Sequence, residues 1–207
     1  MIDASALAIF IPTFFFVSLT PGMCMTLALT LGMTIGVKRT GWMMLGELLG
    51  VAVVATSAVI GVAAVVLKYP QAFIIMKTLG AAYLAWIGLQ MWRSRGKLAI
   101  PEQLDITPQI SAKSLAMQGF VTAVANPKGW AFDIALLPPF INESQPLAPQ
   151  LLILLAIILL FEAICMLLYA SGGKTLRHLL LKPSNVRTMN RIAGSLMIGV
   201  GIWLLLG

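Results

Sequence analysis

Apolar stretches long enough to cross a membrane occupy most of this chain and limit its fold more than any other feature. A helix needs about 20 mainly apolar residues to span the hydrocarbon core of a bilayer. Charged residues make up only 10% of the sequence, against about 25% in soluble domains. We therefore predict an all-α integral membrane protein with six transmembrane helices. They cover residues 4–35, 41–67, 70–92, 115–140, 147–171 and 192–206.

The distribution of basic residues between these stretches predicts the orientation of the chain. The net charge of +7 arises from 14 Lys and Arg against 7 Asp and Glu. Eleven of the basic residues fall in the connections 1–2, 3–4 and 5–6, whereas Lys68 and Lys77 lie on the opposite side. Cytoplasmic loops of inner-membrane proteins carry this excess, so the charge indicates a membrane and not a nucleic acid as the partner. We predict a multi-pass protein of the bacterial inner membrane with both termini in the periplasm.

Landmarks in the first half of the chain recur in the second half at nearly constant spacing. Glu47 and Glu162 are 115 residues apart, and Gly80 and Gly194 are 114 residues apart. With the predicted orientation, residues 1–92 and 115–207 form two antiparallel three-helix repeats, joined by a cytoplasmic linker at 93–114. Inverted repeats of this kind are a common plan of secondary transporters, with the substrate site where the halves meet. Chance similarity among helices rich in Leu, Gly and Ala is the alternative.

Two predicted helices contain residues that interrupt a helix. Pro21 and Gly22 lie within the first stretch, and Asn126 and Pro127 lie within the fourth. Proline removes a backbone donor, and in a membrane the freed groups need protein or a water-filled cavity around them. We expect the first and fourth helices to be interrupted, with new helical N-termini that attract a substrate carboxylate. A plain kink at each site is the alternative, and the sequence leaves open whether the first helix is broken or bent.

Besides Lys77, which is counted above with the outer side, four charged residues lie within the predicted spans, where a carboxylate costs at least about 2.5–3.5 kcal/mol. We predict that Glu47 and Glu162 bind a proton or an ammonium group, although a purely structural role between helices is also open. Lys128 and Asp133 share the fourth span. Lys128 either extends toward the interface or pairs with another group, and Asp133 needs a partner for which Lys128 is one candidate.

Motifs for other kinds of chemistry are absent from the sequence. The sequence contains no GxxxxGK[ST] loop, HExxH or GxSxG motif, so it offers no basis for an ATP-driven motor, a metal centre or an enzyme. Cys24 and Cys165 lie in apolar segments and are expected to be buried small side chains. His178 is expected in a basic loop, exposed to solvent. We predict no cofactor.

Several short motifs together resemble the lysine exporter and homoserine/threonine exporter family (LysE/RhtB). These are Thr20-Pro21-Gly22, Gly46-Glu47, Gly80-Ala81-Ala82-Tyr83-Leu84 and Asn126-Pro127-Lys128. The resemblance implies export of amino acids or close derivatives across the inner membrane, driven by the proton gradient. The chain departs from the family pattern in three ways. Met23 follows Gly22 where the family usually has proline, Glu47 replaces an aspartate that is common there, and Asp133 is unexpected.

The leading hypothesis from the sequence is an amino-acid exporter that works by proton antiport. Its substrate and proton site comprises Pro21, Gly22, Glu47, Asn126, Pro127, Lys128, Asp133 and Glu162. Its partners are an amino acid, protons and membrane lipid, and the sequence leaves open whether it forms a homodimer. An exporter of divalent cations or another small solute is the second hypothesis. A membrane-embedded enzyme or assembly partner is the third, but it does not explain the repeat.

Overall fold

The structure is a computed structural model, and it describes residues 4–68, 70–96, 110–137, 140–142 and 145–206. Long helices make up nearly all of this part of the chain. Most of the predicted linker, residues 97–109, lies outside the described residues. The helices are α1 (Ala4–Leu19), α2 (Met23–Ile35), α3 (Val37–Lys68), α4 (Pro70–Arg93), α5 (Ala112–Val124), α6 (Pro127–Leu136), α7 (Leu147–Leu181) and α8 (Pro183–Leu206).

Membrane-spanning character is evident in several of these helices. Residues 37–61 of α3, 147–173 of α7 and 183–206 of α8 are long and apolar enough to cross a bilayer. The bent pair formed by residues 7–19 and 23–35 qualifies as a fourth span when its two parts are taken together. The prediction of an all-α membrane protein is therefore confirmed. The arrangement of six spans in an inverted repeat stays a prediction, although each predicted segment coincides with one helix or one helix pair.

Both predicted interruptions are present. The helix α1 ends at Leu19 and α2 begins at Met23, with a bend of 53° between them, so the first helix is broken and not merely bent. In the second half, α5 ends at Val124, and α6 begins at Pro127 after an N-cap at Asn126. Proline is favoured at this first helical position, because the N–H that it lacks has no partner within the helix in any case.

The boundaries near the end of the chain differ from the prediction. The segment expected to be a basic loop is helical except at Gly173 and Lys182, because α7 continues to Leu181 and α8 begins at Pro183. His178 therefore lies in the last turn of α7, where its side chain is exposed. Hydropathy locates the part of a helix in lipid but not its polar continuation beyond the membrane. Gly173 has φ 50° and ψ −140°, a conformation that favours glycine, and it separates the apolar and polar parts of α7.

Glycines allow close contact between helices at several places. An added Cβ at Gly46 of α3 would collide with the backbone of Ala116 in α5, and one at Gly119 would collide with Met43. The glycines Gly88 of α4 and Gly194 of α8 contact each other reciprocally in the same way. These contacts hold α3 against α5 and α4 against α8. The helices that contain the two breaks pack around α3 and α7, and together they surround a cavity.

Candidate functional site

A cavity lies where the two helix breaks meet α3 and α7. The space between its atoms amounts to about 620 Å³ when the part that opens to solvent is included. The residues that line it are Phe14, Val17, Ser18, Thr20, Gly22, Cys24, Met25, Glu47, Val51, Val54, Ala123, Asn126, Lys128, Gly129, Phe132, Asp133 and Glu162. The lining thus combines both intramembrane glutamates with residues from both breaks.

Most of the residues that the sequence singled out converge on this cavity. Those that line it are Gly22, Glu47, Asn126, Lys128, Asp133 and Glu162. Pro21 and Pro127 do not line the cavity. Both form part of the backbone at the two helix breaks. Residues separated by more than 100 positions in sequence are therefore neighbours in the fold.

Lys128 and Glu162 attach to consecutive residues at the end of α1. The Lys128 Nζ donates to the Val17 carbonyl oxygen over 3.2 Å, and Ser18 Oγ donates to Glu162 Oε1 over 2.9 Å. Both charged side chains are half-buried, because they line the cavity. The extension of Lys128 toward the interface, one alternative from the sequence, is therefore wrong. The opposite charges of Lys128 and Glu162 attract each other across this site.

Further hydrogen bonds reach the carbonyl groups where α1 ends, of which those of Phe16 and Val17 also accept the Thr20 backbone N–H over 3.1 Å. The last four carbonyls of a helix have no partner within it, and leaving such groups unpaired in a membrane is costly. The Tyr169 hydroxyl of α7 donates to the Leu19 carbonyl over 2.9 Å. Thr20 Oγ1 donates back to the Phe16 carbonyl over 2.8 Å. The first break is therefore held by named side chains from two other helices.

The helix N-termini that follow the two breaks differ in how they are capped. At α6, the Asn126 Oδ1 accepts a hydrogen bond from the Lys128 backbone N–H at 3.1 Å. At α2, the N-cap residue is Gly22, which has no side chain to do this. An added Cβ at Gly22 would lie 3.9 Å from Lys128 Nζ. The N-terminus of α2 therefore presents its first amides close to an ammonium group, and both favour an anion.

Glu47 is the most enclosed of the charged side chains in the cavity. It is 1% exposed, and among the described residues its Oε2 has no hydrogen-bond partner. The Cys24 thiol lies beside its carboxyl group, and the Asn126 Nδ2 reaches the same sulfur over 3.8 Å. Asp133 is also buried, at 4% exposure. A buried carboxyl oxygen without a partner is ready to accept a hydrogen bond from a ligand or to carry a proton.

Apolar side chains form much of the remaining wall of the cavity. Phe14 of α1, Met25 of α2, Val51 and Val54 of α3, and Phe132 of α6 all line it. This combination of a few convergent polar groups with an apolar wall is typical of sites for small organic molecules.

Sequence reasoning missed three residues of this site. The sequence predicts no role for Ser18, predicts only a buried small side chain at Cys24, and does not distinguish Tyr169 from other aromatic residues of a membrane span. Cys24 is buried but adjoins Glu47 and Asn126. The position of Ser18 and Cys24 next to Pro21-Gly22 was the available signal, whereas nothing in the sequence relates Tyr169 to a break 150 residues earlier.

Within the described ranges, no group of three or more His, Cys, Asp and Glu side chains is placed to hold a metal ion.

Comparison with known proteins gives a consistent result. Residues 15–207 match the family described as LysE type translocator. A homoserine/homoserine lactone efflux protein of Salmonella typhi is 29% identical over 185 residues, which cover 89% of this chain and 88% of that protein. A leucine efflux protein of Enterobacter sp. (strain 638) is 30% identical over 191 residues, covering 89% and 88%. An uncharacterized membrane protein of Vibrio cholerae is 30% identical over 187 residues, covering 90% of each chain. No solved structure matches the chain.

Proposed function

Because the chain belongs to the LysE type translocator family and is thus a multi-pass membrane efflux transporter and not an enzyme, we propose that it exports amino acids or close derivatives by proton antiport. The named relatives are efflux proteins for homoserine, homoserine lactone and leucine. Homoserine and leucine share an α-amino group, a carboxylate and an uncharged side chain, and homoserine lactone keeps the amino group on a cyclic ester. The transported class in this protein is taken to be the same.

The observation that carries this proposal is the meeting of both intramembrane glutamates and both helix breaks at one cavity. The substrate carboxylate is placed at the N-terminus of α2, where Gly22 provides no side-chain cap and the Lys128 ammonium lies close by. The substrate amino group is placed at Glu47, whose Oε2 has no partner among the described residues. Asn126 caps α6, so the second break is the less favourable site for the carboxylate.

The apolar wall of the cavity supports an uncharged side chain on the substrate. Phe14, Val51, Val54 and Phe132 line it and offer no group that would pair with a second ammonium or carboxylate. Burying an unpaired charge against such a wall is costly. An aliphatic or short hydroxylated side chain fits this environment.

Alternating access between two antiparallel halves is the proposed route across the membrane. The helices fall into corresponding sets in chain order: the broken pair α1/α2 with α5/α6, α3 with α7, and α4 with α8. Glu47 and Glu162 occupy α3 and α7, which correspond in this scheme. The six-span inverted repeat with both termini in the periplasm is the arrangement that this correspondence favours.

Transport by purified protein in liposomes tests the proposal. Liposomes are loaded with a mixture of amino acids, including homoserine and leucine, and a pH gradient is imposed. We expect a loss of one class of amino acid that depends on the gradient and is identified by mass spectrometry. If folded and inserted protein releases no amino acid, the proposal is wrong and solutes such as divalent cations become the next candidates.

A substitution at Glu47 tests the site itself. Glu47→Gln removes the charge while keeping nearly the same shape, so we expect gradient-driven export to be lost while the amount of inserted protein is unchanged. Glu102→Gln is the matched control, because Glu102 lies in the polar linker of the sequence, and it should leave export intact. Full export by the Glu47→Gln protein would remove Glu47 from the site.

A further inference from the structure

The two glutamates of the cavity are held in different ways, and we propose that they have different roles. In this proposal, which rests on the proposed function, Glu162 is a positioning residue that remains ionised and fixes the end of α1 together with Lys128. Glu47 is the carboxyl that takes up and releases the transported proton, and the substrate ammonium competes with that proton for it. Glu47 and Glu162 then occupy corresponding positions in the sequence repeat, but only Glu47 exchanges a proton.

Two groups around Glu162 favour an ionised carboxylate and oppose the cost of burying its charge. Its Oε1 accepts the hydrogen bond from Ser18 Oγ over 2.9 Å, and a hydrogen bond to the charged form favours that form. The Lys128 ammonium is anchored on Val17, the residue that precedes Ser18. A positive charge so close to a carboxylate favours its ionised state as well. Exchange of a proton at Glu162 would therefore disturb the contacts that hold the first break.

Within the part of the chain that the structure describes, Glu47 lacks both the hydroxyl donor and the directed positive charge that Glu162 has. Its side chain is 1% exposed. Its Oε2 has no hydrogen-bond partner among the described residues, and the neighbouring Cys24 is a weak donor. The other titratable groups that share the cavity are Lys128 and Asp133 of α6 and Glu162 of α7. Of these, Lys128 is bonded to Val17, so its ammonium is oriented toward α1.

Competition between the proton and the substrate ammonium for the Glu47 carboxylate explains why uptake of one is coupled to release of the other. With the cavity open to the cytoplasm, Glu47 releases its proton to water, and its carboxylate then accepts a hydrogen bond from the substrate ammonium. With the cavity open to the periplasm, a proton from external water displaces the substrate. One proton enters at Glu47 for each substrate molecule that leaves, and Glu162, which keeps its charge throughout, carries none.

Infrared spectroscopy of the ligand-free protein tests this division without relying on transport. A protonated carboxyl has a carbonyl-stretch band that disappears on ionisation, so spectra are compared at acidic and alkaline pH. We expect Glu47→Gln to remove one such band, and Glu162→Gln to leave the bands of the wild-type protein unchanged. Asp133→Asn is measured alongside to identify any contribution from that residue. A band lost with Glu162→Gln, or none lost with Glu47→Gln, would overturn the proposal.

A second measurement connects the assignment to the substrate. Homoserine is added to the wild-type protein, and the same band is followed. We expect homoserine to remove the band that Glu47→Gln removes, because both result in loss of the proton from one carboxyl. A wild-type band that homoserine leaves unchanged, in protein that exports homoserine from liposomes, would overturn the competition at Glu47. If no amino acid is exported at all, the proposed function fails, whereas the infrared assignment of the two glutamates is decided separately.

Discussion

At the scale of single residues, the site depends on side chains that satisfy an interrupted backbone. Lys128 and Tyr169 donate to the carbonyls of Val17 and Leu19, where α1 ends. A break in a membrane helix is stable only when such groups find partners. These side-chain donors come from α6 and α7, while the Thr20 backbone N–H also donates to the Val17 carbonyl, so the second half of the chain helps to maintain the break in the first helix.

Removal of the Tyr169 hydroxyl should therefore destabilise the protein. Tyr169→Phe leaves the Leu19 carbonyl without its donor, and an unsatisfied buried group costs about 1–3 kcal/mol. We expect a lower thermal midpoint for the detergent-purified protein. Tyr83→Phe is the control, because Tyr83 is 39% exposed on α4 and should melt with the wild-type protein. Equal melting of all three proteins would show that the hydroxyl contributes nothing.

The same residues show which parts of the site the sequence predicts and which it does not. Glu47, Lys128, Asp133 and Glu162 stand out because charge is costly in an apolar segment, so composition alone identifies them. Tyr169 does not stand out, since an aromatic residue in a span is ordinary. Its importance arises from a carbonyl 150 residues away, and no local pattern contains that information.

At the scale of helices, glycine determines where two backbones can approach. The sequence pair Gly46 and Gly50 predicts that some helix packs closely on α3. The structure identifies α5 as that helix, with Ala116 against Gly46 and Phe120 against Gly50. The sequence does not identify α5 as the helix that packs there, because a pair of small residues defines one contact surface but not the helix that faces it. Helix α5 also precedes α6 directly, so this contact positions Lys128 and Asp133 near Glu47.

Widening this contact should impair the protein. Gly46→Ala places a methyl group against the backbone of Ala116, and overpacking of this kind costs about 1–3 kcal/mol. We expect less folded protein and a lower thermal midpoint. Gly61→Ala on the same helix meets nothing within 4 Å, so it should be neutral or slightly stabilising. If the two variants give equal amounts of folded protein and equal thermal midpoints, the interpretation is wrong.

At the scale of the whole molecule, sequence reasoning reached the class and the family but not the full architecture. The apolar stretches were sufficient to predict helices in a membrane, and the motifs around Pro21 and Asn126 were sufficient to predict the family. The orientation of the chain rests on the distribution of charge alone. It requires a measurement, because a fold without its membrane has no inside or outside.

Fusion of reporter proteins determines this orientation. We expect a protein with alkaline phosphatase fused after Gly207 to be active, because this enzyme requires the periplasm, and a green fluorescent protein at the same place to be dark. The same reporters fused after Arg95 should give the opposite result, since Arg95 belongs to a connection predicted to be cytoplasmic. A fluorescent fusion after Gly207 would reverse the predicted topology.

The break between α5 and α6 also has a consequence for how the protein is made. The two helices have 13 and 10 residues, about 20 and 15 Å at 1.5 Å per residue, so neither alone crosses a hydrocarbon core of about 30 Å. Their Lys128 and Asp133 further disfavour entry into lipid. Helix α3, which packs on both, is synthesised earlier and supplies the surface that they need. This segment therefore enters the membrane as a partner of α3 and not as an independent unit.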